Sequence, residues 1–232
     1  LSPAQSGCPS YNGGMNSPTL MIDVVSDVVC PWCYIGKRKL EAALTLPGAA
    51  SLPHGVIRWH PFQLNPDMPA QGLARQQYLE DKFGGPERAA EIYARVHAAG
   101  QSVGLALNID GITLQPNTLA AHALIAFAQG ADADGDDITE RLFRAYFVEN
   151  RLIGDINVLA EIADEAGLNA AAARAFVSDP DQLAIVAQAD SQARNLGISG
   201  VPFFIFNRQL TVSGAQDPAT LLAAMQQAAG RP

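Results

Sequence analysis

The chain has 232 residues, 48% of them hydrophobic and only 16% charged, with a formal net charge of −8. That length fits one large domain, or a small domain with a sizeable insertion, and it can bury a core without staples. The acidic balance argues against nucleic acid or an anionic membrane as partner, and three cysteines are too few for a disulfide framework.

Residues 1–18 read as a disordered extension. Leu1 to Gly14 lacks the charged start and apolar middle of a signal peptide, and no apolar segment before Cys8 would direct a lipid anchor. Met15 reads as a natural start, and a cytoplasmic location is expected. No run of 18 apolar residues occurs, so no membrane span is expected.

Leu20 to Val29, LMIDVVSDVV, is a short β-branched run that predicts a buried strand. A helix follows from the Cys30 region to Leu46, where Pro47-Gly48 stops it. Val56 to Leu64 predicts a second strand, and strand–helix–strand defaults to a right-handed parallel unit.

From Asn65 to Leu196 alanine-rich segments with helical spacing dominate. They are Leu73–Phe83, Pro86–Val103, Thr118–Gln129, Ile138–Asn150, Ile156–Ala166, Ala170–Ser178 and Gln182–Leu196. Pro86 suits a first helical position, Asp155 and Asn169 suit N-caps, and Gly130 and Gly167 suit helix ends. Strand signals return in Val201–Asn207 (VPFFIFN) and Leu210–Val212. Asp217-Pro218 opens a final helix, Ala219–Ala229.

This order predicts an α/β fold: a mixed four-stranded sheet with helices on both faces, interrupted by a large all-helical insertion. The division is residues 19–66 with 197–232 for the α/β unit and 67–196 for the insertion.

Cys30-Pro31-Trp32-Cys33 lies where the first strand gives way to a helix. Unpaired backbone N–H groups at a helix start favour negative charge, and the thiolate is the attacking form of cysteine. The spacing brings the second sulfur within one turn of the first. Pro31 fits the first turn because its missing N–H would be unpaired there. Trp32 supplies a bulky apolar rim. Position predicts Cys30 as the exposed nucleophile and Cys33 as the shielded resolving thiol. A CxxC pair is also half a zinc site, but only Cys8 and the scattered His54, His60, His97 and His122 are available to complete it. No metal is expected. Two inert buried cysteines are the other plain reading.

Downstream, Gly200-Val201-Pro202 precedes the strand FFIF. A cis proline at Pro202, next to a CxxC unit, would place the Val201 backbone beside the cysteines, ready to pair with an extended substrate.

Three segments together, IDVVSDVVCPWCYIGKRKLEAAL, WHPFQLNPDMP and GISGVPFFIFNRQLTVSGAQDPATLL, resemble the DsbA-like branch of the thioredoxin superfamily. Within it the FrnE-like group, described as polyketide-biosynthesis or DsbA-family oxidoreductases, is most similar, over about Leu20 to Ala229. The resemblance implies a thioredoxin fold with an all-helical insertion between its βαβ and ββα halves. It implies Cys30 and Cys33 as the redox pair and Pro202 as the cis proline. A related branch, with 2-hydroxychromene-2-carboxylate isomerase and kappa-class glutathione transferase, has serine at the position of Cys30 and uses glutathione. Both cysteines are present here, which favours disulfide chemistry. Thioredoxins carry a buried Asp six residues before the nucleophile. Val24 stands there in this chain, with Asp23 and Asp27 nearby.

Asn117 suits a helix N-cap. Similarity of PNTLAAH to the isomerase branch makes Asn117 and His122 pocket candidates, against a default in which His122 is a helix residue with a satisfied ring. Phe62 and Asn65 are candidates to flank the pocket, against turn and core packing. Lys37, Arg38 and Lys39 read as a solvated helix face, with Lys37 able to tune Cys33.

The expected function is a cytoplasmic dithiol–disulfide oxidoreductase acting on protein or small-molecule thiols. It needs no tightly bound cofactor, and glutathione is a candidate redox partner. The alternatives are a glutathione-dependent isomerase or transferase, and a chaperone-like binding protein. The apolar faces of the Ala-rich helices suit either internal burial or a homodimer.

Overall fold

The computed structural model describes residues 19–131 and 133–230. The expected extension over residues 1–18, with Cys8 and Met15, lies outside them. The first half of the sheet is β1 (Thr19–Ser26), α1 (Pro31–Thr45), a 3-10 turn (Pro47–Ser51) and β2 (His54–Pro61). The chain returns to it with β5 (Phe203–Phe206), β6 (Leu210–Ser213) and α9 (Pro218–Ala228). The strand order is β2-β1-β5-β6. β2 runs parallel to β1, while β5 and β6 are antiparallel to their neighbours. This is the mixed four-stranded sheet of a thioredoxin-type α/β fold.

Alternation along β1 sends Leu20, Ile22, Val24 and Ser26 to one face, all buried. In register, Val24 lies between Trp59 of β2 and Phe204 of β5. The expected strand to Val29 stops at Ser26 because the chain turns: the Cys30 N–H donates to the Asp27 carbonyl at 3.0 Å. The second strand ends at Pro61, not Leu64. Beyond it, carboxylates take the backbone donors: Gln63 N–H bonds Asp190 and Leu64 N–H bonds Asp27.

The inserted segment carries α2 (Arg75–Phe83), α3 (Pro86–Ser102), α4 (Leu119–Gly130), α5 (Gly135–Phe147), α6 (Ile156–Glu165), α7 (Ala170–Ser178) and α8 (Pro180–Asn195). It is not wholly helical. The helix expected from Leu73 begins at Arg75, because Leu73–Ala74 (β3) pairs antiparallel with Leu114–Gln115 (β4). Two residues a side leave no alternation to detect in the sequence.

Asp155 and Asn169 cap α6 and α7 as expected. Asp134 and Asp179 do the same for α5 and α8, which therefore start earlier than the apolar pattern suggests. Gly167 turns left-handed after α6 (φ +76°), whereas Gly130 stays helical as the last residue of α4. Asp217 precedes α9 but bonds no helix N–H; its carboxylate takes the Lys39 ammonium at 3.0 Å.

One large apolar core joins the sheet, α1 and the inserted helices. Tyr34 of α1 stacks on Phe143 of α5 with centroids 4.9 Å apart and planes 11° apart. The helix that bears the cysteines is thus clamped directly by the insertion.

Candidate active site

Cys30 sits at the N-cap of α1 with extended backbone (φ −93°, ψ 111°), and Pro31 occupies the first helical turn. The Cys30 carbonyl accepts the Cys33 N–H at 3.0 Å and the Tyr34 N–H at 3.3 Å. This turn brings the two sulfurs close enough for Cys30 to act on the Cys33 thiol. Both cysteines are free.

Cys30 is not the open nucleophile that position predicts. It keeps 5% of its surface and Cys33 keeps 1%. The hydrogen bond of the Cys30 side chain comes from the sheet side, and Tyr93 of the insertion lies within electrostatic reach. The loop before β5 reaches over from the sheet, where the Val201–Pro202 peptide bond is cis. The Val201 carbonyl accepts the Cys30 thiol at 3.8 Å. From the insertion, Tyr93 of α3 lies close enough for Cys30 to influence its phenol, which burial pushes up. Trp32 alone in the motif projects outward, 39% exposed.

Burial is the largest effect on the Cys33 thiol, which is held well above its ordinary range. The adjoining Cys30 sulfur pushes the same way. The Ser26 hydroxyl and the Asp27 backbone, both at the end of β1, oppose it. Val24 stands where thioredoxins have a buried Asp, and Asp23 is not its replacement: it pairs with the half-exposed His60 at 2.7 Å. Asp27 is fully buried. One carboxylate oxygen accepts the Leu64 N–H at 2.7 Å and the other meets His122 Nε2 at 3.3 Å.

Of the other candidates, His122 alone joins this neighbourhood, through Asp27. Phe62 is buried in a second small apolar cluster with Val25, Ala193 and Ile198, under the Arg194 guanidinium at 4.1 Å. Asn65 accepts the Lys82 ammonium at 3.0 Å. Asn117 stands one residue before the N-cap Thr118, donating to the Met68 carbonyl and accepting the Leu119 N–H. These three have structural partners rather than a place beside the sulfurs.

The basic run is not a solvated face. Lys37 is 3% exposed and its ammonium meets the carboxylates of Glu41, Asp136 and Glu140. Arg38 pairs with Glu41 and Glu140, and Tyr34 donates to Glu140 at 2.8 Å. The cluster ties α1 to α5. Sequence reasoning does not find it, because Asp136 and Glu140 lie about a hundred positions away.

Arg75 carries no sequence signal either. It bonds Gln115 at 2.6 Å and the Tyr93 hydroxyl at 2.7 Å, with its guanidinium 5.3 Å from the rings of Tyr78 and Tyr93. It ties α2 to Gln115 of β4 and Tyr93 of α3. Among the described residues no three His, Cys, Asp or Glu side chains come together as a metal site. No helix there is long and apolar enough to cross a membrane.

Residues 21–226 match the family model of the DSBA-like thioredoxin domain. A probable DsbA oxidoreductase from Streptomyces coelicolor is 30% identical, with a TM-score of 0.81 over 92% of this chain and 91% of its own. The uncharacterized protein YwbO of Bacillus subtilis is 28% identical over 188 residues, 81% of this chain and 86% of its own. The cytosolic disulfide reductase DsbM of Pseudomonas aeruginosa, solved with glutathione, shares the fold at a TM-score of 0.60. It is 21% identical over 90% of this chain and 96% of its own.

Proposed function

The chain belongs to the DSBA-like thioredoxin domain family, and on that premise we propose that it is a thiol–disulfide oxidoreductase working through Cys30 and Cys33. The carrying observation is the pair itself: two free, adjoining sulfurs at a helix start, under the Val201 carbonyl. Cys30 attacks a substrate disulfide and releases one thiol, forming a mixed disulfide. Cys33 then attacks the Cys30 sulfur, closing the Cys30–Cys33 disulfide and releasing the second thiol. The reverse sequence oxidises a dithiol. The backbone at Val201 offers an edge for an extended substrate, and Trp32 offers an apolar rim.

Within the family the FrnE-like group is the proposed place of this chain, and the cytoplasm its place of action. The glutathione-bound disulfide reductase is the neighbour that favours glutathione as redox partner. Residues 19–66 and 197–232 carry the chemistry in this reading, and residues 67–196 cover it. No tightly bound cofactor takes part.

Cys33→Ser tests the reading against the isomerase or transferase alternative. With oxidised glutathione the variant should accumulate a glutathione adduct on Cys30 and stop turning over. Undiminished turnover in Cys33→Ser, with no adduct on Cys30, would transfer the assignment to glutathione-dependent isomerisation. Client protection that survives replacement of both cysteines would favour the chaperone-like reading.

A further inference from the structure

Resolution of the mixed disulfide needs Cys33 as a thiolate, yet Cys33 is the more enclosed of the two thiols and burial favours its protonated form. A base on the side of Cys33 away from Cys30 would take that proton without routing it through the bound substrate. Three features meet on the Ser26 side of Cys33.

The first is an orphan hydroxyl. Ser26 Oγ is buried and makes no formed hydrogen bond in the resting structure. It lies on the face of β1 against which α1 packs, close enough to the Cys33 sulfur to favour its thiolate. A buried hydroxyl without a partner is costly and calls for a role. The second is a mostly apolar cavity of about 110 Å³ whose polar lining is Ser26, His60 and His122, the side chains that would hold water in it. It is large enough for several waters. The third is His122, on the cavity wall, whose ring meets the buried Asp27 carboxylate behind it at 3.3 Å. With Nε2 held by Asp27, Nδ1 is the ring nitrogen left to take a proton.

We propose that Ser26, water in this cavity and the Asp27-anchored His122 form the proton route that deprotonates Cys33 during resolution. Ser26 is too weak a base to keep the proton, so it relays: it takes the Cys33 proton as it gives its own to a cavity water, which passes one to His122. As the Cys33 thiolate attacks, the S–S bond to the leaving thiol breaks and its electron pair goes to that thiolate. The proton held on His122 later returns to solvent through the cavity. No further oxidant or reductant enters. Ser26 and His122 are positioning residues here, since neither touches the substrate.

Other ionisable groups face the route. Cys30 adjoins Cys33. His60 lines the same cavity but is half-exposed and paired with Asp23. Tyr146 of α5 feels the Asp27 carboxylate, and burial holds its phenol protonated. His60 is therefore the competing imidazole on this cavity, and it serves as the control.

This inference rests on the redox reading above. The experiment is single-turnover resolution of a glutathione adduct on Cys30, followed across pH. Ser26→Ala should slow resolution by about a hundredfold near pH 7. The deficit should close at high pH, where Cys33 ionises unaided. Ser26→Thr should restore the rate, His122→Gln should reproduce the Ser26→Ala profile, and His60→Gln should leave it unmoved. Alkylation of Cys30 should keep its wild-type pH dependence in all of them.

Equal slowing at every pH, or an unmoved profile, overturns the route, and a shift in His60→Gln but not His122→Gln reassigns the base and overturns it too. Should Ser26→Ala not fold, the wild-type protein decides the matter. Its resolution step should be slower in D₂O near neutral pH and lose that isotope effect at high pH; no isotope effect overturns the route. Failure of the redox reading looks different: no adduct forms on Cys30 at all.

Discussion

The Cys30 thiol donates to the Val201 carbonyl at 3.8 Å, across 171 positions of sequence. The contact is made possible by Gly36, further along α1. A Cβ on Gly36 would lie 2.8 Å from Pro202 Cγ and 3.3 Å from Phe204 Cζ. The proline ring cannot swing aside as a flexible side chain would. Gly36→Ala should therefore push the Val201–Pro202 segment off the cysteines, at about 1–3 kcal/mol of stability. Urea unfolding and disulfide-exchange rates measured together check this: exchange should fall even under conditions where the variant is fully folded.

Native alkylation should label Cys30 before Cys33. The small difference in exposure favours Cys30, and the raised Cys33 thiol adds a chemical barrier. Peptide mapping after brief iodoacetamide treatment reads the order. Labelling of Cys33 first would reverse the roles.

Lys37→Met should destabilise the fold by about 3 kcal/mol, the low end for breaking a buried ion pair, because the carboxylates around it are partly exposed. Denaturant unfolding measures it. The linkage has two signs. Burial pulls Lys37 down, but Asp136 and Glu41 outweigh it, so its folded value lies above 10.5. That contribution is full below the unfolded value and is lost as pH rises through the folded one. Burial raises Glu41, but Lys37 and Arg38 outweigh it and hold it below 4.5. Its contribution is full above the unfolded value and is lost as pH falls through the folded one. Glu41→Gln should flatten the acid limb of the stability curve and leave the middle range lower.

Trp32→Ala should leave stability within about 0.5 kcal/mol, since the ring projects into solvent. It should raise KM for an apolar peptide disulfide more than for oxidised glutathione. Equal effects on both substrates would remove the rim from the binding surface.

Much of this arrangement is written locally in the chain. The β-branched run of β1, the CPWC turn and the Pro-initiated α1 are short-range signals, so the strand, the helix and the pair between them are legible. Helices α6 and α7 carry their own caps in Asp155 and Asn169. Pairing at a distance is what stays concealed. In sequence Asp27 is one of two stray acids near the motif, yet its carboxylate joins the chain at Leu64 and the ring of His122. Lys37 reads as solvated because its partners Asp136 and Glu140 come from a helix about a hundred residues on. The Arg75 bracket joins Gln115 and Tyr93, three residues with no shared pattern. Phe62 and Asn65 follow β2 and so suggest a pocket edge, but they turn to the core and to Lys82.

The central claim is that Cys30 and Cys33 form a reversible redox couple. Equilibration in glutathione buffers of graded poise, with Cys33→Ser as control, tests it most directly. The account predicts a single two-electron transition between dithiol and Cys30–Cys33 disulfide, absent in the variant, with a midpoint that separates oxidant from reductant. A wild-type protein that forms no Cys30–Cys33 disulfide anywhere in the range would contradict it.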